Sequence, residues 1–195
     1  KIMPVPTPRT PPAAILREVQ KAVIGKDLVL TKVLLAFLAG GHVLMEDMPG
    51  VGKTTLAMAF SKALGLNCRR VQFTPDVLPS DLTGFSVYEK NTGTFVFQPG
   101  ALFCHLLLAD EINRTSSKTQ AALLEAMEEG NVTVEGKTYT LPRPHLVIAT
   151  QNPLGCVGTQ SLPESQLDRF LMRLHMGYPE IQDEVAILKG HAARD

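Results

Sequence analysis

The chain has no net charge: 19 Lys and Arg balance 19 Asp and Glu over 195 residues. A neutral chain has no global field to draw in a polyanion, so overall charge gives no case for nucleic acid as a partner. Cysteine is sparse. Cys68, Cys104 and Cys156 are widely spaced and form no CxxC pair, which argues against a disulfide framework and for reduced, mostly buried thiols. His42, His105 and His145 each open an apolar run, and none stands at a metal-ligand spacing from cysteine or another histidine, so they read as structural. No apolar run approaches a membrane span, and the N-terminus lacks the basic-then-apolar order of a signal peptide. A cytoplasmic location is the expectation. No internal repeat appears at solenoid periods.

What the chain does have is concentrated at Met48–Thr55, MPGVGKTT. The apolar run His42-Val43-Leu44-Met45 precedes it, and Leu56–Leu64 follows with a helical pattern. Strand, glycine loop, Lys-Thr and helix together make a triphosphate site. Pro49, Gly50, Val51 and Gly52 shape a loop whose backbone N–H groups turn toward phosphate oxygens. The N-terminus of the helix, with Thr55 in its first turn, adds partial positive charge. Lys53 reaches the β and γ phosphates, and Thr54 offers its hydroxyl to Mg²⁺. Asp47 stands where the strict pattern has glycine, a variation that aspartate tolerates because it visits unusual backbone angles.

A second string, His105–Asn113 (HLLLADEIN), reads as a buried central strand ending in paired carboxylates. Asp110 is the candidate Mg²⁺ carboxylate, acting through water. Glu111 is the candidate to polarise an attacking water. Asn152 follows another apolar strand, Leu146–Ala149, and a parallel sheet would set it beside Asp110 and Glu111. It reads either as a sensor of the γ-phosphate or as an Asn-Pro turn. Arg169, in Leu167–Phe170, reads either as half of a surface Asp-Arg pair or as a finger supplied to a neighbouring subunit, with Arg173 as its competitor.

The rest of the chain sorts into a proline-rich arm over 1–14, an α/β core over 15–180 and the start of a linker helix over 181–195. Helices are expected over Ile15–Val23, Leu28–Ala39, Leu56–Leu64, Glu164–Leu171 and from Glu180 to Lys189. Ser117–Gln120 fits a capping box opening a helix to Glu129. Further strands are expected over Arg70–Thr74 and Leu174–Met176, and a turn-rich loop over Pro75–Gly84. Two hairpins, Phe85–Phe97 and Val132–Leu141, interrupt the alternation of strands and helices. Such insertions project from a scaffold and carry function.

Five strings together resemble the MoxR family of AAA+ ATPases: Gly41–Thr54, Leu107–Arg114, Lys118–Glu129, Ala149–Pro153 and Ser165–Phe170. The resemblance implies a P-loop NTPase αβα sandwich with a mostly parallel sheet and two β-hairpin insertions. It implies ATP and Mg²⁺ as cofactors, Val23 and Ile24 beside the adenine, Asn152 as first sensor and Arg169 as the trans-acting finger. It also implies a homo-hexameric ring, a von Willebrand A domain partner protein and client proteins that are remodelled or matured. The hairpins would then face the ring pore or the partner. The family's helical lid, with a second sensor arginine, is absent from these residues, and the core alone is expected to bind nucleotide weakly and turn it over slowly. The alternatives are a nucleic-acid-remodelling motor and a chelatase-type or gas-vesicle-type ATPase of the same branch. Lys90 and Lys137, at the hairpin tips, have Glu89 and Glu135 close by, which weighs against nucleic acid.

Overall fold

A computed structural model describes residues 11–46, 52–151 and 162–177. Its centre is a five-stranded, all-parallel sheet built from β1 (Val43–Glu46), β2 (Cys68–Gln72), β5 (Leu106–Asp110), β8 (Leu146–Gln151) and β9 (Met172–Leu174). The strand order is β2-β5-β8-β1-β9. β1, β5 and β8 are continuous apolar runs, as strands covered on both faces must be. The outer strand β2 carries Arg69 and Arg70, charges that suit a sheet edge.

Alternation along the strands divides the core in two. Val43, Met45, Leu106, Leu108 and Ile148 pack with α1 (Pro12–Gln20), α2 (Asp27–Leu38) and α3 (Lys53–Leu64). Leu44, Leu107, Ala109, Val147 and Ala149 pack with α5 (Ser117–Glu129) on the opposite face. The result is the expected three-layer αβα sandwich. Two antiparallel hairpins stand outside the sheet: β3 (Gly84–Glu89) with β4 (Thr94–Pro99), and β6 (Asn131–Val134) with β7 (Lys137–Thr140). Phe97 of the first stacks on Tyr139 of the second, centroids 3.8 Å apart and planes 14° from parallel.

Several boundaries differ from the sequence reading. The first helix begins at Pro12 rather than Ile15 and stops at Gln20, because proline suits the first helical turn. Within Pro75–Gly84 lies a short helix, α4 (Pro79–Thr83), begun by Pro79 and capped by the Asp81 carboxylate, which accepts the Leu78 N–H at 2.8 Å. Ser116, not Ser117, caps α5, accepting the Thr119 N–H at 3.3 Å. Gln120 cannot close the expected capping box, since its amide donates to the Ile112 carbonyl at 3.0 Å. β2 runs over Cys68–Gln72 rather than Arg70–Thr74, in register with Leu106–Asp110.

The helix expected over Glu164–Leu171 ends early. α6 spans Glu164–Leu167, so Arg169 lies on the turn after it. Phe170 turns into the core, and the Leu171 N–H donates to the His42 carbonyl at 2.9 Å. Gly41 makes this approach feasible, because a Cβ there would stand 2.6 Å from Leu171. The strand that follows is Met172–Leu174, aligned with Val43–Met45, rather than Leu174–Met176. Cys68 is half-buried and Cys104 buried, both free thiols, and burial pushes the Cys104 thiol up to about 11. The arm over 1–10, Cys156 and the helix expected from Glu180 lie outside the described residues.

His42 and His145 are structural, as expected. Val147 donates its N–H to His42 Nδ1 at 3.1 Å, so the proton of the neutral ring sits on Nε2 and is donated to the Met127 carbonyl at 3.1 Å. Burial, with the nearby His145 as a smaller contribution, lowers His42 to about 4.

Candidate nucleotide site

All five sheet strands run the same way, so their C-terminal ends form one edge, where open α/β sheets bind ligands. Glu46, Gln72, Asp110 and Gln151 end four of these strands. The start of α3 lies on the same chain segment as the glycine loop. Gly52 caps it with φ of +80°, a left-handed conformation that costs a side-chain-bearing residue energy, and the helix N–H groups follow directly. Lys53 is 7% exposed, while Thr54 and Thr55 are exposed in the first turn. Pro49, Gly50 and Val51 lie outside the described residues, as does Asn152.

Asp110 shares its strand face with Leu106 and Leu108, and therefore projects on the α3 side of the sheet. Thr150, on the adjacent β8, has the same parity as Leu146 and Ile148. The two meet: the Thr150 hydroxyl donates to Asp110 Oδ1 at 2.6 Å. The same hydroxyl oxygen accepts the Glu111 N–H at 2.8 Å. Glu111 adopts φ 58° and ψ 48°, a left-handed conformation uncommon outside glycine and a mark of local strain. Thr150 thus fixes the carboxylate pair from behind, holding one member by its side chain and the other by its backbone. A polar residue at an inward-facing position of an otherwise apolar strand was the sequence signal for it. Thr150→Val keeps the shape but leaves the Glu111 N–H unpaired, and should cost about 1–3 kcal/mol of stability. Urea unfolding measures this, and Thr150→Ser should recover most of it.

Each carboxylate also holds a guanidinium. Arg70 Nη2 lies 2.8 Å from Asp110 Oδ2, and Arg114 Nη1 lies 2.7 Å from Glu111 Oε2. Next along the edge, Glu46 accepts from the Gln151 amide at 2.6 Å and pairs with Arg173 at 3.3 Å. Residue spacing revealed none of these partners. Met176 reaches the glycine loop from beyond β9, its Cε 3.6 Å from where a Cβ on Gly52 would stand.

The candidate donors would suit Mg²⁺. They are hard oxygens, the Asp110 carboxylate and the Thr54 hydroxyl, and among the described residues no group of three or more His, Cys, Asp or Glu could hold a metal. Mg²⁺ is characteristically held by one or two protein oxygens together with substrate phosphates and water.

The remaining candidates are more distant in kind. Val23 belongs to the core and is 6% exposed, whereas Ile24 beside it is half-buried. Arg169 is engaged within its own chain. It pairs with Glu128 at 2.9 Å and donates to the Ser165 carbonyl at 3.0 Å, in place of the Asp168 pairing that the sequence suggested. Arg173 sits on β9.

Comparison with known proteins agrees with this fold. The family model described as "ATPase family associated with various cellular activities (AAA)" matches residues 42–172. YeaC of Bacillus subtilis is 53% identical over 89% of this chain and 54% of its own length. Chaperone MoxR1 of Mycobacterium tuberculosis is 42% identical over 88% of this chain and 45% of its own. A crystal structure of a candidate ATPase from Cytophaga hutchinsonii superposes with a TM-score of 0.81 at 42% identity, over 90% of this chain and 53% of that one. The chain therefore spans about half the length of the curated relatives it matches. A sheet edge with this carboxylate pair, the glycine loop and these relatives together place the chain in the MoxR family of AAA+ ATPases.

Proposed function

We propose that the protein binds ATP with Mg²⁺, hydrolyses it to ADP and phosphate, and uses the cycle to remodel or mature client proteins. The carrying observation is the Asp110–Thr150–Glu111 constellation at the sheet edge. When bound, Mg²⁺ would supply positive charge against the negative charge that develops during transfer. Thr54 and Asp110 would hold it. Lys53 would pair with the β and γ phosphates, and the N–H groups of Gly50–Thr55 would cradle them, with Val23 and Ile24 bordering the adenine. Glu111 would accept a hydrogen bond from the attacking water and orient it, with Asn152 assisting.

Arg169 would serve the nucleotide of the neighbouring subunit in a homo-hexameric ring, exchanging its Glu128 partner for the γ-phosphate. An ion pair at the surface, with the Arg169 side chain 34% exposed, is weakly held, which suits such an exchange. Protein clients are favoured over nucleic acid by the β3–β4 hairpin. It exposes Phe85, Val87, Tyr88, Phe95 and Val96, an apolar surface rather than a basic one. A relative named as a chaperone supports the same reading, and a von Willebrand A domain protein is the partner we propose for it. Among the described residues no helix is long and apolar enough to cross a membrane, which is compatible with action in the cytoplasm.

The first test is phosphate release from ATP. Turnover should require Mg²⁺ and should fall to background in Lys53→Ala, which removes the cation at the β and γ phosphates. Lys53→Ala turnover equal to wild type would remove the glycine loop from the reaction.

A further inference from the structure

The carboxylate assigned to Mg²⁺ already carries a cation. Arg70 reaches Asp110 Oδ2 from the neighbouring strand β2, at 2.8 Å. The other oxygen is committed. Oδ1 accepts the Thr150 proton at 2.6 Å, and the Thr150 oxygen in turn accepts the Glu111 N–H. Thr150 is fully buried and cannot swing away. Oδ2 is the oxygen of Asp110 that Thr150 does not engage, and a metal-bound water that takes it meets Arg70 there. The Arg70 side chain is 51% exposed and free to move outward. It also has a second acceptor, since the same Nη2 lies 3.1 Å from Gln72 Oε1. Glu111 is matched by Arg114, so both carboxylates are neutralised by guanidinium groups.

We infer that Arg70 is an internal counter-ion that occupies Asp110 until magnesium-bound nucleotide displaces it, and so sets the Mg²⁺ dependence of nucleotide binding. It acts through Asp110 and is a positioning residue. The inference rests on the nucleotide-site reading above and adds a residue to it. Two opposite effects follow from removing the guanidinium. Without Mg²⁺, the uncovered Asp110 repels the polyphosphate, so metal-free binding weakens. With Mg²⁺, the metal no longer competes with Arg70, so less metal is needed.

The experiment is fluorescence anisotropy of a labelled ATP analogue, titrated with Mg²⁺ from an EDTA-containing start, on wild type, Arg70→Gln and Arg70→Lys. For Arg70→Gln the half-saturating Mg²⁺ concentration should fall about three- to fivefold, the scale of a half-exposed ion pair. Metal-free affinity should fall by a similar factor. Arg70→Lys keeps the charge and should stay closer to wild type; it carries the test alone if the glutamine variant does not fold, with a smaller shift in the same direction. An unchanged Mg²⁺ midpoint overturns the inference. So does an affinity loss equal at every Mg²⁺ concentration, which would make Arg70 a direct phosphate ligand. Absence of nucleotide binding by wild type at saturating Mg²⁺ overturns this inference and the proposed function together; the other two outcomes leave the proposed function standing.

Discussion

Glu111→Gln should lower kcat for ATP hydrolysis by roughly 10²–10⁴-fold, the usual contribution of a positioned general base, while ATP affinity changes by less than about threefold. The substitution is isosteric. Glutamine still presents an oxygen to Arg114, and the backbone N–H at this position still reaches Thr150, so the left-handed turn at φ 58° should survive. What is lost is the negative charge proposed to polarise water. Asp110, Lys53 and the loop are untouched, so the proposed binding half of the site remains. Phosphate release together with equilibrium nucleotide binding separates the two halves. A parallel fall in both would mean that Glu111 holds nucleotide rather than activating water. Glu111 is an informative position because strain and two independent contacts fix it before any ligand arrives.

The second large effect is on stability. Acidification from pH 7 to pH 4 should destabilise the protein by roughly 3 kcal/mol through His42, about 10² in the folding equilibrium. The folded ring must stay neutral, since its Nδ1 faces the Val147 N–H and a proton there would set two donors against each other. Its folded value is accordingly lowered from 6.5 to about 4. The unfolded chain binds the proton first. The stabilisation is therefore complete above pH 6.5 and is lost as pH falls toward 4. His145, also lowered by burial and with its Nε2 unpartnered among the described residues, contributes in the same direction. Urea midpoints measured across this range, for wild type and His42→Gln, isolate the effect from carboxylate titration. The variant should be less stable at neutral pH and show a shallower acid slope; equal slopes would contradict the buried neutral histidine.

The sequence disclosed those parts of the molecule whose cause is local. Continuous apolar runs marked β1, β5 and β8 because a strand covered on both faces needs nothing else. The Asp110-Glu111 pair at the end of a buried strand was legible because its residues are contiguous along the chain. Features that depend on contacts between distant segments were not. Thr150, 40 residues from Asp110, joins it only because β5 and β8 are neighbours. Arg70 meets Asp110 across an equal separation through the β2–β5 register. The early end of α6 has the same origin: Leu171 is drawn to His42 and Gly41, more than a hundred residues earlier, against a helical pattern that continued locally. The α4 turn escaped for a different reason. Pro79 and Asp81 are residues of turns and of helix N-termini alike, and only the Leu78 N–H bond to Asp81 distinguishes the two.

The sheet edge beside α3 is proposed to be a Mg²⁺–ATP site with Glu111 on the water. A structure of the Glu111→Gln protein with ATP and Mg²⁺ tests it most directly. The expected result is intact ATP, Mg²⁺ held through Thr54 and Asp110, Lys53 on the phosphates, and the substituted glutamine facing the γ-phosphate with Arg70 moved off Asp110. Nucleotide bound elsewhere, or bound here with that glutamine turned away from the γ-phosphate, would contradict it.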